Sequence, residues 1–314
     1  MTGSGPLLHA PRTVVIQRNP RSGTGWRRGL VYDLVTQLRS QGFRPRLFKS
    51  RERLDRWLAD PQHRADVYCL VAAGGDGTLS DLVNRQPGLP ITLLPVGTEN
   101  VLAQGLGIPA SGLGVARMIA AGNRRRLDLG ELNGRRFVLM VSAGFDAEVV
   151  HRVHRSRRGH LSHWSYVPAV VQALWGYAHP QMRVWSGRET SPAPARLVIV
   201  VNFPRYALGL RVASGARTDD GLLDARLFAR GSRFQMLRYF CSLWWSRPEK
   251  LADVACLTTS ELRLESDQPV PLQADGDPAG TTPAVLRVLP GALELLVPAP
   301  TGSHTARADA KGME

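Results

Sequence analysis

The sequence predicts two domains, an α/β domain with a parallel sheet followed by a mainly antiparallel β domain. The chain has 314 residues, enough for two domains of about 150 residues each. Its first 130 residues alternate short apolar runs with amphipathic stretches, the pattern of a parallel sheet flanked by helices. Beyond about Arg126, short strands separated by turn signals replace that pattern. We therefore expect domains at residues 1–130 and 131–300, followed by a disordered tail at 301–314.

In the first domain, each predicted strand leads into a glycine loop or an amphipathic stretch. Apolar residues recur at helical spacing from Leu30 to Leu38, and Gly42 ends that helix. Thr78 and Asp81 have the spacing of a capping box, which predicts a helix that starts at Thr78. The predicted strands are Thr13–Gln17, Arg44–Phe48, Asp66–Ala73 and Ile91–Pro95, with further helices over Arg51–Leu58 and after residue 100.

In the second domain, short strands alternate with turns, and two helices interrupt them. The predicted strands are Arg136–Val141, Met182–Trp185, Ala195–Asn202, Asp224–Phe228, Glu261–Glu265, Val270–Ala274, Val285–Leu289 and Ala292–Val297. The predicted helices are Leu161–Tyr177 and Arg233–Trp245.

Three glycine-containing loops, at residues 19–25, 74–78 and 96–100, follow predicted strands of the first domain. Glycine lets the backbone approach a ligand closely, and the amide groups of a following helix favour an anion. Two such loops at the carboxyl ends of neighbouring parallel strands form a nucleotide crevice. The sequence has no GxxxxGK(S/T) loop and no GxGxxG that opens a helix. A Walker A loop and a dinucleotide-binding fingerprint are therefore excluded. One loop of this kind can be a tight turn only, whereas three together predict phosphate binding.

The charge balance narrows the class of partner without identifying one. The chain has 40 Lys and Arg residues against 26 Asp and Glu, a formal charge of +14, and 43% hydrophobic residues, as in a folded protein. A basic balance fits nucleic acid, an anionic membrane or a phosphorylated ligand. Only three of the 40 are lysines, and so much Arg beside many Ala, Gly and Pro residues is typical of a GC-rich genome.

Cysteine content and hydropathy predict the compartment. Cys69, Cys241 and Cys256 are an odd set without a CxxC pair, which argues against a disulfide framework and a structural zinc site. No secretory signal and no run of about 18 uncharged apolar residues is visible. We expect a cytoplasmic protein that lies on a membrane surface at most and does not span it.

Six segments, taken in order, resemble the diacylglycerol kinase catalytic domain superfamily. They are NPRSG at 19–23, GGDGTLSD at 74–81, PVGTEN at 95–100, SAGFDAE at 142–148, DDGLLD at 219–224 and DGD at 275–277. That superfamily includes bacterial lipid kinases, sphingosine kinases and ceramide kinases, with NAD kinases as distant relatives. The resemblance covers about residues 12–298. It implies a Rossmann-like α/β nucleotide domain, a β-sandwich second domain and an active site in the cleft between them.

The resemblance also implies ATP as the phosphoryl donor and Mg²⁺ as a cofactor. Asp76 is either a helix N-cap or an acceptor that orders Mg²⁺ and water beside the phosphates, and the resemblance favours the second role. The implied nucleotide-binding residues are Asn19, Pro20, Arg21, Ser22, Gly23, Ser50, Gly74, Gly75, Asp76, Gly77, Thr78, Thr98 and Asn100.

The Asp275-Gly276-Asp277 segment follows an apolar run, and by itself it is typical of a hairpin turn. In the superfamily this place reads DGE and supplies the general base that takes a proton from the lipid hydroxyl. Asp277 stands in place of that Glu, and its side chain is shorter by one methylene. The sequence does not separate Asp275 from Asp277 as the base.

The oxygen-rich loop Asp219–Asp224 turns at Gly221 and is either a surface turn or a site for a hard divalent cation. The resemblance implies a structural Mg²⁺ held by Asp220 and by the backbone carbonyl groups of Arg217 and Leu222.

Two residues depart from the superfamily pattern near the third loop. Val101 stands where many members have an Asp of a water and metal network, so that Asp76 and Asp146 would sustain it alone. Glu99 adds a carboxylate where Gly, Ala or Thr is usual.

A basic segment, His151–His163, holds four Arg and four His and leads into Trp164. It is either an interfacial anchor, in which Arg152–Arg158 and Trp164 meet an anionic membrane, or a solvated helix face or loop. The aromatic stretch Phe234–Trp245 either lines a lipid-facing cleft or packs into the core, and its helical spacing favours the core.

Taken together, the sequence predicts a lipid kinase on the inner face of a membrane that transfers the γ-phosphoryl group of ATP to a hydroxyl of diacylglycerol or a related lipid. An NAD kinase is the enzyme alternative, because the GGDGT loop is shared. The other alternative is a catalytically silent lipid or nucleic-acid binder of the same fold. We expect no nucleic-acid partner, since no RNA-binding motif is present.

Overall fold

The alternation of apolar runs and amphipathic stretches in the first domain produces a parallel sheet flanked by helices. The computed structural model describes residues 12–18, 28–97, 99–156, 166–187, 189–205, 212–213, 215–245 and 248–299. The elements of the first domain are β1 (Thr13–Arg18), α1 (Arg28–Ser40), β2 (Arg44–Phe48), α2 (Arg51–Leu58), α3 (Pro61–Ala65), β3 (Val67–Gly74), α4 (Asp76–Arg85), β4 (Ile91–Pro95), α5 (Val101–Gly105) and α6 (Gly112–Ala121).

These four strands lie in the order β2-β1-β3-β4, and all three neighbouring pairs are parallel. Strand β4 is buried along its whole length, whereas the edge strand β2 is largely exposed. Arg18 pairs with Ala73, and Gly74 pairs with Pro95. The carboxyl ends of β1, β3 and β4 therefore meet at one edge of the sheet, where the predicted glycine loops begin.

The second domain is an antiparallel β sandwich with helices beside it. Its elements are β5 (Arg124–Leu132), β6 (Arg135–Phe137), β7 (Met140–Gly144), α7 (Phe145–Ser156), α8 (Tyr166–Gly176), β8 (Met182–Ser186), β9 (Ala193–Ala195), β10 (Leu197–Val201), β11 (Leu223–Phe228), α9 (Arg233–Trp244), a short 3₁₀ helix (Pro248–Lys250), β12 (Val254–Thr259), β13 (Glu261–Ser266), β14 (Pro271–Ala274), β15 (Asp277–Thr281) and β16 (Ala284–Leu296).

One sheet of the sandwich has the order β12-β11-β10-β7-β14-β15, and the other contains β9, β8, β13, β16, β5 and β6. Alternate residues of their strands point between the sheets, as the two-residue period of a strand requires. Val198 and Val200 of β10 and Leu262 and Leu264 of β13 lie in this core and are at most 1% exposed. The antiparallel sandwich confirms the predicted class of the second domain.

The last strand, β16, connects the two domains. Its first half pairs with β13, and the strand also pairs with β5, both in antiparallel fashion. Near its end, Leu295 pairs in parallel with Ile91 of β4. The register shifts between Leu289 and Leu293, so the two strands predicted here form one irregular strand. The proposed boundary at residue 130 falls within β5, which extends the same joined sheet.

Most predicted elements of the first domain are present, and β2, α2 and β4 have the predicted bounds. The capping box predicted from Thr78 is wrong, because α4 begins at Asp76 and its N-cap, Gly75, makes no side-chain hydrogen bond. Asp81 instead accepts hydrogen bonds from Arg85 one turn later (2.8 and 3.1 Å). The predicted tail at 301–314 lies outside the described residues.

Helix α9 packs only one of its two apolar faces. Met236, Tyr239 and Leu243 recur at helical spacing and are buried. Phe234 and Trp244 on the other face are largely exposed. The prediction that this segment packs into the core is therefore correct for only one face of the helix. Across the described ranges, no helix combines the length and apolar character needed to cross a membrane.

Candidate active site

The second and third glycine loops pack against each other at the carboxyl edge of the parallel sheet. The amide groups of Val96 and Gly97 both donate to the carbonyl oxygen of Gly74 (3.1 and 3.2 Å). A Cβ atom on Gly97 would lie 2.5 Å from Cα of Gly75, which no side chain tolerates without a backbone shift. Glycine at both positions therefore lets the two loops form one continuous backbone surface.

Asn100 closes the third loop and occupies the N-cap position of α5, where its side chain makes no capping hydrogen bond. It adopts a left-handed conformation with φ of 51°, which Asn tolerates better than most residues. Its side-chain amide donates to the carbonyl oxygen of Gly97 (2.9 Å), and its Oδ1 accepts from the amide of Gly97 (3.1 Å). These reciprocal bonds fix the loop that carries Thr98, which itself lies outside the described residues.

The first loop leaves β1 after Arg18, beside Ala73 of β3. Its predicted nucleotide contacts, Asn19, Pro20, Arg21, Ser22 and Gly23, lie outside the described residues. Ser50, the other predicted contact at this edge, accepts from the amide of Arg53 (3.2 Å) and thereby caps α2. Its hydroxyl also donates to Glu52 (2.5 Å). The described contacts of Ser50 are thus those of a helix cap.

Asp76 lies in the second loop and binds the start of α5, the helix that follows the third loop. One carboxylate oxygen accepts from the amide of Val101 (2.8 Å) and the other from the amide of Leu102 (3.2 Å). Asp76 therefore caps α5, the helix that follows the third loop, and not its own helix. Burial raises the pKa of the Asp76 carboxyl against the lowering effect of these amides, and the negative charge of Glu99 raises it further.

Thr78 lies in the first turn of α4 with its hydroxyl against the second loop. A Cβ atom on Gly74 would lie 2.1 Å from Oγ1 of Thr78. This hydroxyl is buried, and no residue in the described part of the chain forms a hydrogen bond with it. A buried donor without a protein partner is a group that a ligand or water satisfies in most proteins, so its position fits a phosphate-binding role.

The Asp275-Gly276 pair forms a two-residue turn between β14 and β15. Both residues have positive φ, 50° and 84°, and Ala274 pairs with Asp277 across the hairpin. This is the geometry of a type I′ turn, which Asp-Gly favours. The turn interpretation is correct for the backbone, and the two carboxylates differ in what they contact.

The Asp275 carboxylate is turned inwards onto the segment that joins β6 to β7. Oδ2 accepts from the amide of Val138 (2.8 Å), and Oδ1 accepts from the amides of Leu139 (2.8 Å) and Met140 (3.1 Å). The nearby Ser80 side chain of α4 also lowers the pKa of this carboxyl. Burial nevertheless raises the pKa of Asp275, because the cost of removing the charge from water exceeds the effect of these donors.

Asp277 is turned outwards, and its side chain is 47% exposed. Oδ2 lies 3.3 Å from the guanidinium of Arg135, and Oδ1 lies 3.3 Å from Nε2 of His154. Arg135 also donates to the carbonyl oxygen of Pro278 (3.0 Å). The carboxylate is thus held on two sides by groups from β6 and α7 while part of it faces solvent.

A buried polar group lies behind the hairpin. Gln273 donates to Ser142 (3.0 Å) and to Asp146 (3.3 Å), and its Oε1 accepts from the amide of Gly276 (2.9 Å). Ser142 in turn donates to Asp146 (2.5 Å). Asp146, predicted to take part in a metal network, is therefore bonded to the base of the hairpin.

The loop predicted to hold a structural cation lies at the junction of the domains. Asp220 accepts from the amide of Leu222 (3.1 Å), and the amide of Gly221 donates to Asp128 (2.7 Å). Asp128 is 3% exposed and also accepts from Gly291 in β16 (2.8 Å). One carboxylate and the carbonyl groups of Arg217 and Leu222 are hard oxygen donors that suit Mg²⁺. Within the described ranges, no cluster of three or more His, Cys, Asp or Glu residues could hold a metal.

The basic segment predicted as a membrane anchor begins inside α7. Arg152 and Arg155 pair with Glu148 of the same helix (2.7 and 3.5 Å). His151 contacts the carbonyl oxygen of Leu272 (2.8 Å), so it points inwards, as His154 does. Arg157, Arg158 and Trp164 lie outside the described residues.

A Rossmann-like domain with joined glycine loops, followed by a β sandwich that places a carboxylate hairpin near them, defines a two-domain protein of the kinase class. Residues 13–132 match the family described as the diacylglycerol kinase catalytic domain. Residues 139–297, more than half of the chain, match the YegS C-terminal NAD kinase beta sandwich-like domain. The chain belongs to this diacylglycerol kinase family of YegS-like two-domain proteins.

Individual proteins and solved structures are also similar to this chain. A diacylglycerol kinase of Mycobacterium tuberculosis is 28% identical over 237 residues, which are 73% of this chain and 76% of that protein. A Synechocystis protein is 27% identical over 238 residues, but the match spans only 54% of its length. The structure of a diacylglycerol kinase from Bacillus anthracis covers 91% of this chain and 97% of its own, with a TM-score of 0.67 and 16% identity. That likeness bears on the fold alone.

Four polar residues of the site were not found by sequence reasoning. Gln273 carried a detectable signal, because it is a polar residue inside an otherwise apolar predicted strand. Asn202, which is 2% exposed and donates to the carbonyl groups of Asp128 and Val138 (both 2.9 Å), ends a similar run. Arg135 carried no local signal, and His154 was noted only as part of the basic segment, since the partner of both lies more than 120 residues away.

Proposed function

We propose that this protein transfers the γ-phosphoryl group of ATP to a hydroxyl group of diacylglycerol or a related lipid. The observation that carries the proposal is the position of α4 between two sites. Its N-terminus lies at the joined glycine loops, and Ser80, in the next turn, is close enough to the Asp275 carboxyl of the hairpin to lower its pKa. Ser80 follows Asp76 by four positions in the helix, which is about 6 Å along the axis. This short spacing along α4 supports transfer of a phosphoryl group from the loops to the hairpin.

The phosphates of ATP would lie against the loop and helix start formed by Gly74–Thr78. Gly75 provides no side-chain cap, so no side chain competes with a phosphate oxygen at the helix N-terminus. The positive end of the helix dipole favours the anion there, and the unpaired hydroxyl of Thr78 supports the same placement. Asn19–Gly23, Thr98 and Asn100 would complete the nucleotide site from the neighbouring loops.

Asp277 is the carboxylate that we assign to the acceptor hydroxyl. The carboxylate oxygens of Asp275 accept hydrogen bonds from three backbone amides. The side chain of Asp277 is partly exposed, so a substrate can reach it. Phosphoryl transfer through a loose transition state requires that the acceptor oxygen be oriented and lose its proton late. A carboxylate held by Arg135 and His154 meets that requirement, because its direction is fixed while it keeps a lone pair for the hydroxyl.

Divalent metal would neutralise charge that develops on the phosphates during transfer. Asp76 and Asp146 are the carboxylates from which such an ion near the loops would draw its protein ligands. A cation beside Asp76 would also oppose the influence of Glu99 on its pKa. The loop of Arg217, Asp220 and Leu222 would hold a second, structural ion at the domain junction.

The test is phosphate transfer from γ-labelled ATP, with Mg²⁺, by the purified full-length chain. The acceptors are diacylglycerol, monoacylglycerol, sphingosine, ceramide and NAD, assayed separately. We expect at least one lipid to be labelled. Labelling of NAD but of no lipid would identify an NAD kinase and overturn the proposal, and labelling of no acceptor would favour a silent binding protein.

Two variants connect the activity to the site. Asp277→Asn keeps the size of the side chain but removes its basicity, so we expect kcat to fall about 10²–10⁴-fold with nucleotide binding retained. Asp267→Asn is the matched control, because Asp267 is an Asp of the same domain with an 84% exposed side chain. An Asp277→Asn enzyme as active as the control would exclude Asp277 as the base.

A further inference from the structure

The exposed apolar residues of this protein are concentrated on two helices. In the described part of the chain eleven large hydrophobic residues are exposed, and eight of them belong to α8, α9 or the residue that caps α9. We call these eight the aromatic face. They are Val167, Val171, Trp175, Phe234, Leu237, Phe240, Trp244 and Trp245. Tryptophan and phenylalanine are seldom left in water, so a patch of this size indicates an interaction surface.

Helical spacing explains why these residues share one surface. Val167, Val171 and Trp175 are four residues apart and form a single stripe along α8, while Ala169 and Ala173 on the same helix pack against α7. On α9 the exposed residues lie opposite the buried Met236, Tyr239 and Leu243. Both helices therefore have a second apolar face that is exposed in the part of the chain that the structure describes.

Arg233 joins the two stripes and gives the surface its charge. Its guanidinium lies 4.5 Å from the ring centroid of Trp175 and 5.7 Å from that of Phe234. Neither α8 nor α9 contains an acidic residue. The nearby Asp253 is bonded to Arg238 and to the hydroxyl of Tyr239 (2.7 Å). Aromatic rings interleaved with a cation form a surface that complements apolar chains beneath anionic headgroups.

We propose that the aromatic face of α8 and α9 docks onto an anionic phospholipid bilayer and brings the active site to its acceptor. This inference rests on the proposed lipid kinase activity. A second copy of the chain fits less well, since two such faces would bring their arginines together without a counter-charge. The bilayer supplies both the apolar phase and the phosphate groups.

The geometry connects this surface to the hairpin. Helix α8 packs on α7 through Val149 and Val153, and α7 carries His154, which contacts Asp277. One helix therefore separates the proposed bilayer surface from the proposed base. Docking there differs from docking through Arg152 and Arg155, whose guanidinium groups are paired with Glu148.

The test measures binding of the full-length chain to sedimented vesicles, either phosphatidylcholine alone or phosphatidylcholine mixed with phosphatidylglycerol. The variants are Trp175→Ala/Phe234→Ala, Trp244→Ala/Trp245→Ala and Arg233→Gln. Tyr32→Ala is the matched control, because Tyr32 is an aromatic residue that is 73% exposed and lies on α1 of the first domain. Thermal unfolding checks that each variant is folded.

We expect each aromatic double variant to lower vesicle affinity about tenfold or more, because the loss of interfacial burial of two rings exceeds the 1.4 kcal/mol that corresponds to a factor of ten. Arg233→Gln should lower affinity for the anionic vesicles only, and Tyr32→Ala should change neither. Unchanged affinity in the folded double variants would overturn the proposal. So would a wild-type dimer that these variants convert to a monomer without an effect on vesicles.

A second readout separates docking from catalysis. With a monomeric, short-chain diacylglycerol in solution, the double variants should match the wild type, whereas phosphorylation of long-chain lipid in vesicles should fall with binding. If wild type binds vesicles as expected but phosphorylates no lipid, the proposed function fails and the docking surface stands. Equal loss on both acceptors would place these residues in the catalytic machinery and overturn the docking proposal.

Discussion

Asp275 and Asp277 lie two residues apart in one hairpin, yet their substitution should have opposite consequences. Asp275→Asn preserves size and tolerates the left-handed backbone, but it replaces one acceptor oxygen with an NH₂ group. Val138 donates to one oxygen, and Leu139 and Met140 donate to the other. Whichever way the new amide turns, at least one backbone donor loses its acceptor and faces another donor.

The expected loss of stability follows from these bonds. A buried donor left unpaired costs about 1–3 kcal/mol, and in Asp275→Asn that backbone donor also faces the new NH₂ group. We therefore expect Asp275→Asn to lower the free energy of unfolding by about 2–4 kcal/mol, or Tm by roughly 3–6 °C. Asp277→Asn should cost less than about 1 kcal/mol, because its ion pairs are solvent-exposed.

Urea titration and calorimetry measure these changes, and the lipid assay measures activity in parallel. Asp275→Asn should reduce stability, and Asp277→Asn should reduce kcat. Equal stability of Asp275→Asn and Asp277→Asn would refute the assignment of Asp275 to the packing of the hairpin. Loss of kcat in a fully stable Asp275→Asn variant would refute the assignment of the base to Asp277.

The pH dependence of stability, compared between the wild type and Asp275→Asn, gives an independent check. Burial raises the pKa of Asp275 above its ordinary value of 3.8. Stability from this group is therefore fully present below pH 3.8 and is lost as pH rises through the raised pKa. Asp275→Asn lacks this dependence, so the stability advantage of the wild type should grow as the pH is lowered. An advantage that shrinks on acidification would mean that the amides, not burial, dominate.

Three further changes test the loops. Gly97→Ala should raise KM for ATP about tenfold or more, because its Cβ would lie 2.5 Å from Gly75; Gly29→Ala, which meets nothing within 4 Å, is the control in ATP titrations. Glu99→Gln should move the acid limb of the pH–rate profile to lower pH, since Glu99 raises the pKa of Asp76, and an unmoved limb would exclude Asp76 as the ionising group. Asp220→Asn should abolish an Mg²⁺-dependent rise in Tm, whereas Asp219→Asn should retain it because Asp219 pairs with Arg125; retention in both variants would exclude the loop as the metal site.

Local patterns predicted the parts of the site that are built from consecutive residues. The glycine loops after β3 and β4 were predicted because each follows a buried apolar strand. The Asp275-Gly276 turn was predicted because the dipeptide itself favours positive φ. Strand β5 was missed, since it begins with Arg124, Arg125 and Arg126, and its apolar residues come only later. Such a strand has no clear period until its partners are known.

Long-range partners could not be predicted from the sequence. Asp is a residue type that favours the N-cap of its own helix. Asp76 instead caps a helix 25 residues later, because the two loops pack together. The two carboxylates of the hairpin are equivalent in sequence, and only the position of residues 138–140 turns one of them inwards. Similarly, α9 is apolar on both faces, so its periodicity cannot tell which face is buried.

The path of β16 has a consequence for how the chain folds during synthesis. Strand β4 is buried in all five residues, and its neighbour on one side is the end of β16, some 200 residues later. When only the first domain has emerged from the ribosome, β4 is therefore an exposed apolar sheet edge. Edges of this kind promote aggregation. The nucleotide domain completes its sheet only when residue 296 has emerged. We expect a fragment of residues 1–132 to aggregate, and completion of both domains to be one late, cooperative event.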